Sequence, residues 1–257
     1  MMHIKRFIFA GLIATVMPMG ALAAGIGFPL DRAPVDFENK ASLQRGAQTF
    51  MNYCLGCHSA DYHRYNRMAI DLDLTEDQVR ENLIFTTDAS GEPTKVGSLI
   101  ENNMPDEYAK QVFGVVPPNL TLIAKSRGAD WLYTYLRTFY LDSSRETVGV
   151  NNKVFPDVGM PHVLWELQGW QKPIYEKATD SHGEEHKQFV GFEQVTEGKL
   201  SPKEYDKLVG DLVNFLAYLS DPYKLQRERT GMWVLAFLVL LAIFAYILKK
   251  EYWRDVH

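Results

Sequence analysis

Apolar residues recur along this chain in several distinct rhythms, and each rhythm predicts a different element. Near the amino terminus Lys5 and Arg6 precede the uncharged stretch Phe7–Gly20, and Ala21-Leu22-Ala23 follows it. Positive charge, a short apolar segment and a small-residue site, in that order, predict a cleaved secretory signal over residues 1–23. Toward the carboxyl terminus, Gly231–Leu248 carries no charged side chain. As a helix it would cover roughly 27 Å, enough to cross the hydrocarbon core of a bilayer. Trp233 and Tyr246 near its edges, with Tyr252 and Trp253 just beyond, stand where aromatic belts form. Lys and Arg residues flank the span on both sides and do not orient it. The export signal does: residues 24–223 form an exported domain, 224–230 a charged linker, 231–248 a transmembrane anchor and 249–257 a cytoplasmic tail.

Between the two ends the rhythm is mainly helical. Residues 24–38 are punctuated by Gly and Pro and read as extended. A helix is expected from about Ser42 to Tyr53, with Gly46 and Phe50 one turn apart on one face. Thr75-Glu76-Asp77-Gln78 matches a capping box and predicts a short helix to about Phe85. Asp130 is the expected cap of an aromatic-rich helix over Trp131–Leu141, whose rings read as core packing. Ile174–Leu200 has β-branched and aromatic residues around a charged, Gly-containing centre, which suits a two-stranded hairpin. Ser201-Pro202-Lys203-Glu204 combines a cap, a first-turn proline and a capping-box glutamate. Tyr205, Leu208, Val209, Leu212, Phe215, Leu216 and Leu219 then mark one apolar face, and Asp221-Pro222 ends the helix.

The formal net charge of −5 argues against a nucleic-acid partner. No glycine-rich phosphate motif occurs, so no nucleotide site is expected. The chemistry lies in Cys54-Leu55-Gly56-Cys57-His58, which uses both cysteines of the chain. C-x-x-C-H is the attachment signature of a c-type haem. Two thiols at this spacing reach the two vinyl groups of one porphyrin, and the following imidazole becomes an axial ligand of the iron. A zinc site would need a further Cys or His pair, and His182 and His186 lie in a polar stretch that reads as a solvated loop. With both thiols committed to haem, the exported domain has no cysteine for a disulfide.

The ligand opposite His58 separates the function classes. An open iron face would permit gas or peroxide chemistry, as in a haem sensor or catalyst. A methionine thioether closes it and suits electron transfer. Met51 is too near Cys54 to reach around the ring, and Met68 would need a very short loop. Met104, in Asn102-Asn103-Met104-Pro105, and Met160, in Gly159-Met160-Pro161-His162, are both followed by proline, and spacing does not choose between them. His162 is also of a residue type that ligates iron, but its nearness to Met160 makes it read as a neighbour of the site.

Gly46-x-x-x-Phe50-x-x-x-Cys54-x-x-Cys57-His58 resembles the first helix and haem site of class I cytochromes c. Pro117-Pro118-Asn119-Leu120, Arg127-Gly128-Ala129-Asp130-Trp131, the segment Val158–Trp165, Tyr218-Leu219-Ser220-Asp221-Pro222 and the terminal apolar span extend the likeness. Together they resemble the cytochrome c1 family of the cytochrome bc1 complex, in its proteobacterial form. The resemblance implies a mainly α, class I cytochrome c-like haem domain with a small β-hairpin insertion and one transmembrane helix. It implies one covalently attached haem c with Met160 as sixth ligand, Arg127 on a haem propionate, and the Pro118 carbonyl holding the far nitrogen of His58. It further implies electrons received from a Rieske iron–sulfur protein, passed to a soluble or membrane-tethered cytochrome c, and a cytochrome b neighbour in the bacterial inner membrane, with the haem domain in the periplasm. Glu76, Asp77, Glu81, Glu184 and Glu185 are candidate acidic contacts for a basic acceptor. The rival with the same cofactor is the haem c subunit of a terminal oxidase or nitric oxide reductase.

Overall fold

The computed structural model describes residues 27–179 and 185–255; the signal expected over 1–23, and Glu184, lie outside the described residues. Two helices form the frame. Helix α1 (Lys40–Tyr53) is capped by Asn39, whose side chain accepts from the Ser42 backbone amide. It leads directly into the cysteine pentapeptide. Strand β1 (Ala60–Arg64), helix α2 (Tyr65–Asp71) and helix α3 (Glu76–Asn82) follow. The capping box expected at Thr75 and Gln78 is formed at the start of α3. Then come β2 (Leu99–Ile100), α4 (Asp106–Phe113), α5 (Ile123–Ser126), α6 (Ala129–Arg137), β3 (Phe139–Leu141), β4 (Val150–Asn152) and α7 (Trp165–Gln168). Strands β5 (Gln171–Thr179) and β6 (Glu185–Gln194) form the hairpin, and α8 (Pro202–Ser220) and α9 (Lys224–Tyr252) complete the chain. The strands pair antiparallel as β1–β2, β3–β4 and β5–β6.

Helix α8 is the central element. Its start is reciprocal: Glu204 N–H donates to Ser201 Oγ at 3.4 Å, and Ser201 N–H donates to the Glu204 carboxylate at 2.9 Å. Val209, Leu212, Val213, Phe215, Leu216 and Leu219 are all buried. Each contributes roughly 1.5–3 kcal/mol by leaving water. Their partner is α1, and the crossing is close because of Gly46. A Cβ added there would meet the Asp211 carbonyl oxygen at 2.1 Å and Phe215 Cβ at 2.7 Å. One turn on, Phe50 and Phe215 pack with ring centroids 5.7 Å apart. At the edge, Arg45 forks onto Asp211 at 2.6 and 3.0 Å. The extended amino-terminal strap is tied to both α6 and α8. Asp31 N–H donates to Thr134 Oγ1, Ala33 N–H to Asp130 Oδ1, and Asp36 N–H to Asn214 Oδ1.

Two expectations are corrected. Asp130 does not cap α6: Gly128, at φ +92°, holds that position, and Asp130 accepts from the strap instead. That helix stops at Arg137, because Phe139–Leu141 pairs with Val150–Asn152 as a strand. Residues 224–230, expected as a charged linker, are helical: they form the first turns of the 29-residue α9, continuous with the apolar span. No residue of the apolar part of α9 is buried against the domain. A helix apolar on all sides and bare of protein contact has a bilayer as its matching solvent.

Candidate functional site

The cysteine pentapeptide continues α1 by one turn. Cys54 N–H donates to the Phe50 carbonyl at 2.9 Å, and the amides of Cys57 and His58 both donate to the Cys54 carbonyl, at 3.0 and 2.8 Å. Positions separated by three and four residues share a helix face. Both sulfurs and the imidazole therefore emerge on one side. Burial, and then the neighbouring Cys57 charge, push the Cys54 thiol up to about 12, and burial raises Cys57 as well. Neither is a poised thiolate, so a thiol redox centre is a poor fit.

A second loop closes over His58. Leu120 N–H donates to the Ser59 carbonyl at 2.9 Å, and the Asn119 side chain meets Asp61. His58 Nδ1 lies 2.8 Å from the Pro118 carbonyl oxygen. A carbonyl only accepts, so Nδ1 carries the proton and Nε2 keeps its lone pair. Burial, opposed in part by that hydrogen bond, lowers the His58 pKa and favours neutral imidazole, the form that binds metals.

Asn102 fastens the other side of the pentapeptide. Its Nδ2 donates to the Cys57 carbonyl at 2.9 Å, its backbone N–H donates to Ser59 Oγ at 3.0 Å, and its Oδ1 accepts from Met104 N–H at 2.9 Å. Met104 is thereby held on the attachment-loop side, lining an open groove of about 600 Å³ with Met51, Leu55, Phe85 and Tyr108. Met51 and Met68 are core residues, 4% and 0% exposed.

Met160 belongs to a different neighbourhood. Its sulfur accepts from Tyr135 Oη at 3.4 Å. Tyr135 stacks on Trp131 at 4.7 Å, and the Arg127 guanidinium lies 5.3 Å over Trp131 and 5.5 Å over Phe155. Arg127, Trp131, Tyr135 and Met160 thus form one chain of contacts built on α6. His162 is not part of it: it is buried in parallel stacking on Phe139 at 4.9 Å, and burial takes its pKa down to about 4.

These residues fit a haem. Trp131 Nε1 is buried with no hydrogen-bond partner, and Arg127 beside it makes no ion pair among the described residues. A guanidinium and an indole N–H, adjacent and without acceptors, match a carboxylate such as a propionate. Asn102, Trp131 and Tyr135 were not singled out from the sequence as site residues. Only Asn102 had a local signal, an Asx-type turn ahead of Met104-Pro105. Among the acidic candidates, Glu76, Asp77 and Glu81 are exposed on α3, with Asp77 paired to Arg80, while Glu185 pairs with Lys177 at 3.0 Å.

The likeness to known proteins covers almost the whole chain. The model of the Cytochrome C1 family matches residues 32–256. A cytochrome c1 of Allochromatium vinosum is 52% identical over 240 residues, covering 93% of this chain and 95% of the relative. The ammonia monooxygenase gamma subunit of Nitrosomonas europaea is 45% identical over the full length of both chains. A cytochrome c1 of Blastochloris viridis is 26% identical, covering 85% of this chain and 82% of the relative. The chain accordingly belongs to the cytochrome c1 family, membrane-anchored c-type cytochromes of electron transfer that carry a single covalently bound haem c.

Proposed function

We propose that this chain relays single electrons from a Rieske iron–sulfur protein to a soluble or membrane-tethered cytochrome c, beside cytochrome b in a quinol:cytochrome c oxidoreductase. Cys54 and Cys57 would hold the haem as thioethers, and His58 Nε2 and Met160 Sδ would be the donors to its iron. Arg127 and Trp131 Nε1 would meet a propionate. When bound, the haem supplies a one-electron iron couple, and a thioether ligand raises its potential. The observation that carries this reading is the 2.8 Å contact of His58 Nδ1 with the Pro118 carbonyl. It fixes the tautomer that leaves Nε2 free beside two thiols, and it orients and strengthens the ligand.

The polypeptide performs no bond chemistry. The α1–α8 packing keeps the pentapeptide rigid, and the Ser59–Leu120 pairing keeps the Pro118 loop against His58. Rigid donors keep the ligand shell unchanged between oxidation states, which favours fast transfer. The signal over 1–23 would export the domain to the periplasm, and α9 would cross the bacterial inner membrane once, its carboxyl end in the cytoplasm.

Gentle detergent extraction followed by identification of the bound subunits tests the partners. Cytochrome b and a Rieske protein are expected. The full-length likeness to a monooxygenase gamma subunit supports one specific rival. Co-extraction of monooxygenase, terminal oxidase or nitric oxide reductase subunits would reassign the partner while leaving the haem site. A denatured chain that shows no haem on a gel would overturn the site itself.

A further inference from the structure

We infer that Tyr135 is a positioning residue for the electron-transfer centre: its phenol holds the second lone pair of the Met160 sulfur and thereby raises the haem potential. This rests on the reading of Met160 as the iron ligand.

The geometry is specific. Tyr135 Oη lies 3.4 Å from Met160 Sδ, inside the longer range that sulfur acceptors require. A thioether carries no proton, so the phenol donates. The ring cannot turn away. It is 8% exposed, stacked on Trp131 at 4.7 Å and 12°, and set edge-on to Phe139 at 5.0 Å and 68°. The backbone before Met160 is held from the other side, where Arg145 Nη2 donates to the carbonyls of Asp157 and Val158, each at 2.9 Å. The thioether is therefore held at both ends, through its backbone by Arg145 and through its sulfur by Tyr135.

A second buried tyrosine in the same core has a different acceptor. Tyr205, also buried, gives its hydroxyl to the Leu136 carbonyl at 2.8 Å, a strong backbone acceptor. Tyr135 instead donates its hydroxyl hydrogen bond to a thioether, a weaker acceptor. The chemical consequence has a sign. A sulfur has two lone pairs; one can bind iron while the other accepts from the phenol. The hydrogen bond withdraws density from sulfur, which weakens its donation to ferric iron more than to ferrous iron. Oxidation becomes harder and the potential rises.

The test uses the detergent-extracted complex with the full chain. Tyr135→Phe keeps both ring contacts and deletes the donor. Its midpoint potential is expected to fall below that of the unaltered protein, with haem content retained and the thioether-to-ferric charge-transfer band still present. Tyr205→Phe is the structural control: it should lower thermal stability and leave the potential in place. Should Tyr135→Phe fail to load haem, fluorotyrosine at position 135 keeps the ring and strengthens the donor, and the potential should rise. An unshifted potential in Tyr135→Phe, or an unshifted or lowered one with fluorotyrosine, overturns the inference while leaving the ligand intact. Failure of the ligand reading looks different. Met160→Leu would then leave both the charge-transfer band and the inertness to carbon monoxide unchanged, and the role of Tyr135 would fall with it.

Discussion

Replacing Gly46 by alanine isolates the contact that holds the haem-bearing helix in place. The added Cβ would sit 2.1 Å from the Asp211 carbonyl oxygen and 2.8 Å from its carbonyl carbon. Ordinary contact begins at 3.4 Å, so α1 and α8 would have to part by more than an ångström. The obstacle is backbone in the middle of a buried helix and cannot rotate away. Parting the helices loosens Phe50 on Phe215 and stretches the Arg45–Asp211 fork. Overpacking of this kind costs about 3 kcal/mol at the upper end of its usual range. Alanine's better helix propensity returns about 1 kcal/mol. The net loss of about 2 kcal/mol corresponds to a Tm lower by about 4–8 °C for a domain of this size. Thermal unfolding of the haem-loaded protein, followed by far-ultraviolet circular dichroism, measures it. A Tm equal to or above that of the unaltered chain would refute the argument, because propensity alone would then govern the site.

Met160→Leu should lower the haem potential sharply and let the reduced iron bind carbon monoxide, whereas Met104→Leu should do neither; optical titration with carbon monoxide separates the two. Asn214→Leu should destabilise the domain by about 3 kcal/mol in denaturant unfolding, since the backbone amide and carbonyl of Asp36 and the Ser42 hydroxyl would all lose their buried partner. Asp221, at the turn into α9, is held down to about 2 chiefly by its hydrogen bonds with Arg227, and further by Lys125. A depressed carboxylate stabilises the fold above its ordinary pKa of about 4 and loses that contribution as pH falls through the depressed value. The stability difference between the unaltered chain and Asp221→Asn should therefore be full at neutral pH and close between about pH 4 and pH 2 in thermal melts.

Much of the site was legible because its chemistry is local. Cys54, Cys57 and His58 carry the haem-attachment signature in a spacing of three and four residues, and a single helical turn is enough to bring them to one side. The caps at Thr75 and Ser201 were equally readable, since each is a reciprocal hydrogen bond across four residues. The family's motifs likewise pointed to Pro118, whose carbonyl the structure puts against His58 Nδ1.

Other features depended on residues far apart in the chain. Asp130 looks like a cap from its neighbours, yet it serves Ala33, 97 positions away. Phe139–Leu141 continues a helical rhythm in the sequence, but β4 supplies backbone partners that a free helix end would lack. Residues 224–230 read as a charged linker of no fixed form, and the structure makes them helical, with Asp221 paired to Arg227 at the start of α9. The sequence by itself determined that Cys54, Cys57 and His58 carry the haem-attachment signature and that an apolar helix follows the domain, because residue spacing and bare hydrophobic length are properties of contiguous residues. Only the tertiary structure decided what surrounds each methionine: Met104 is fastened beside Cys57 through Asn102, and Met160 lies under the Tyr135 hydroxyl. The Asn102–Cys57 and Tyr135–Met160 contacts span 45 and 25 positions and are set by the packing of separate elements, which no local pattern encodes.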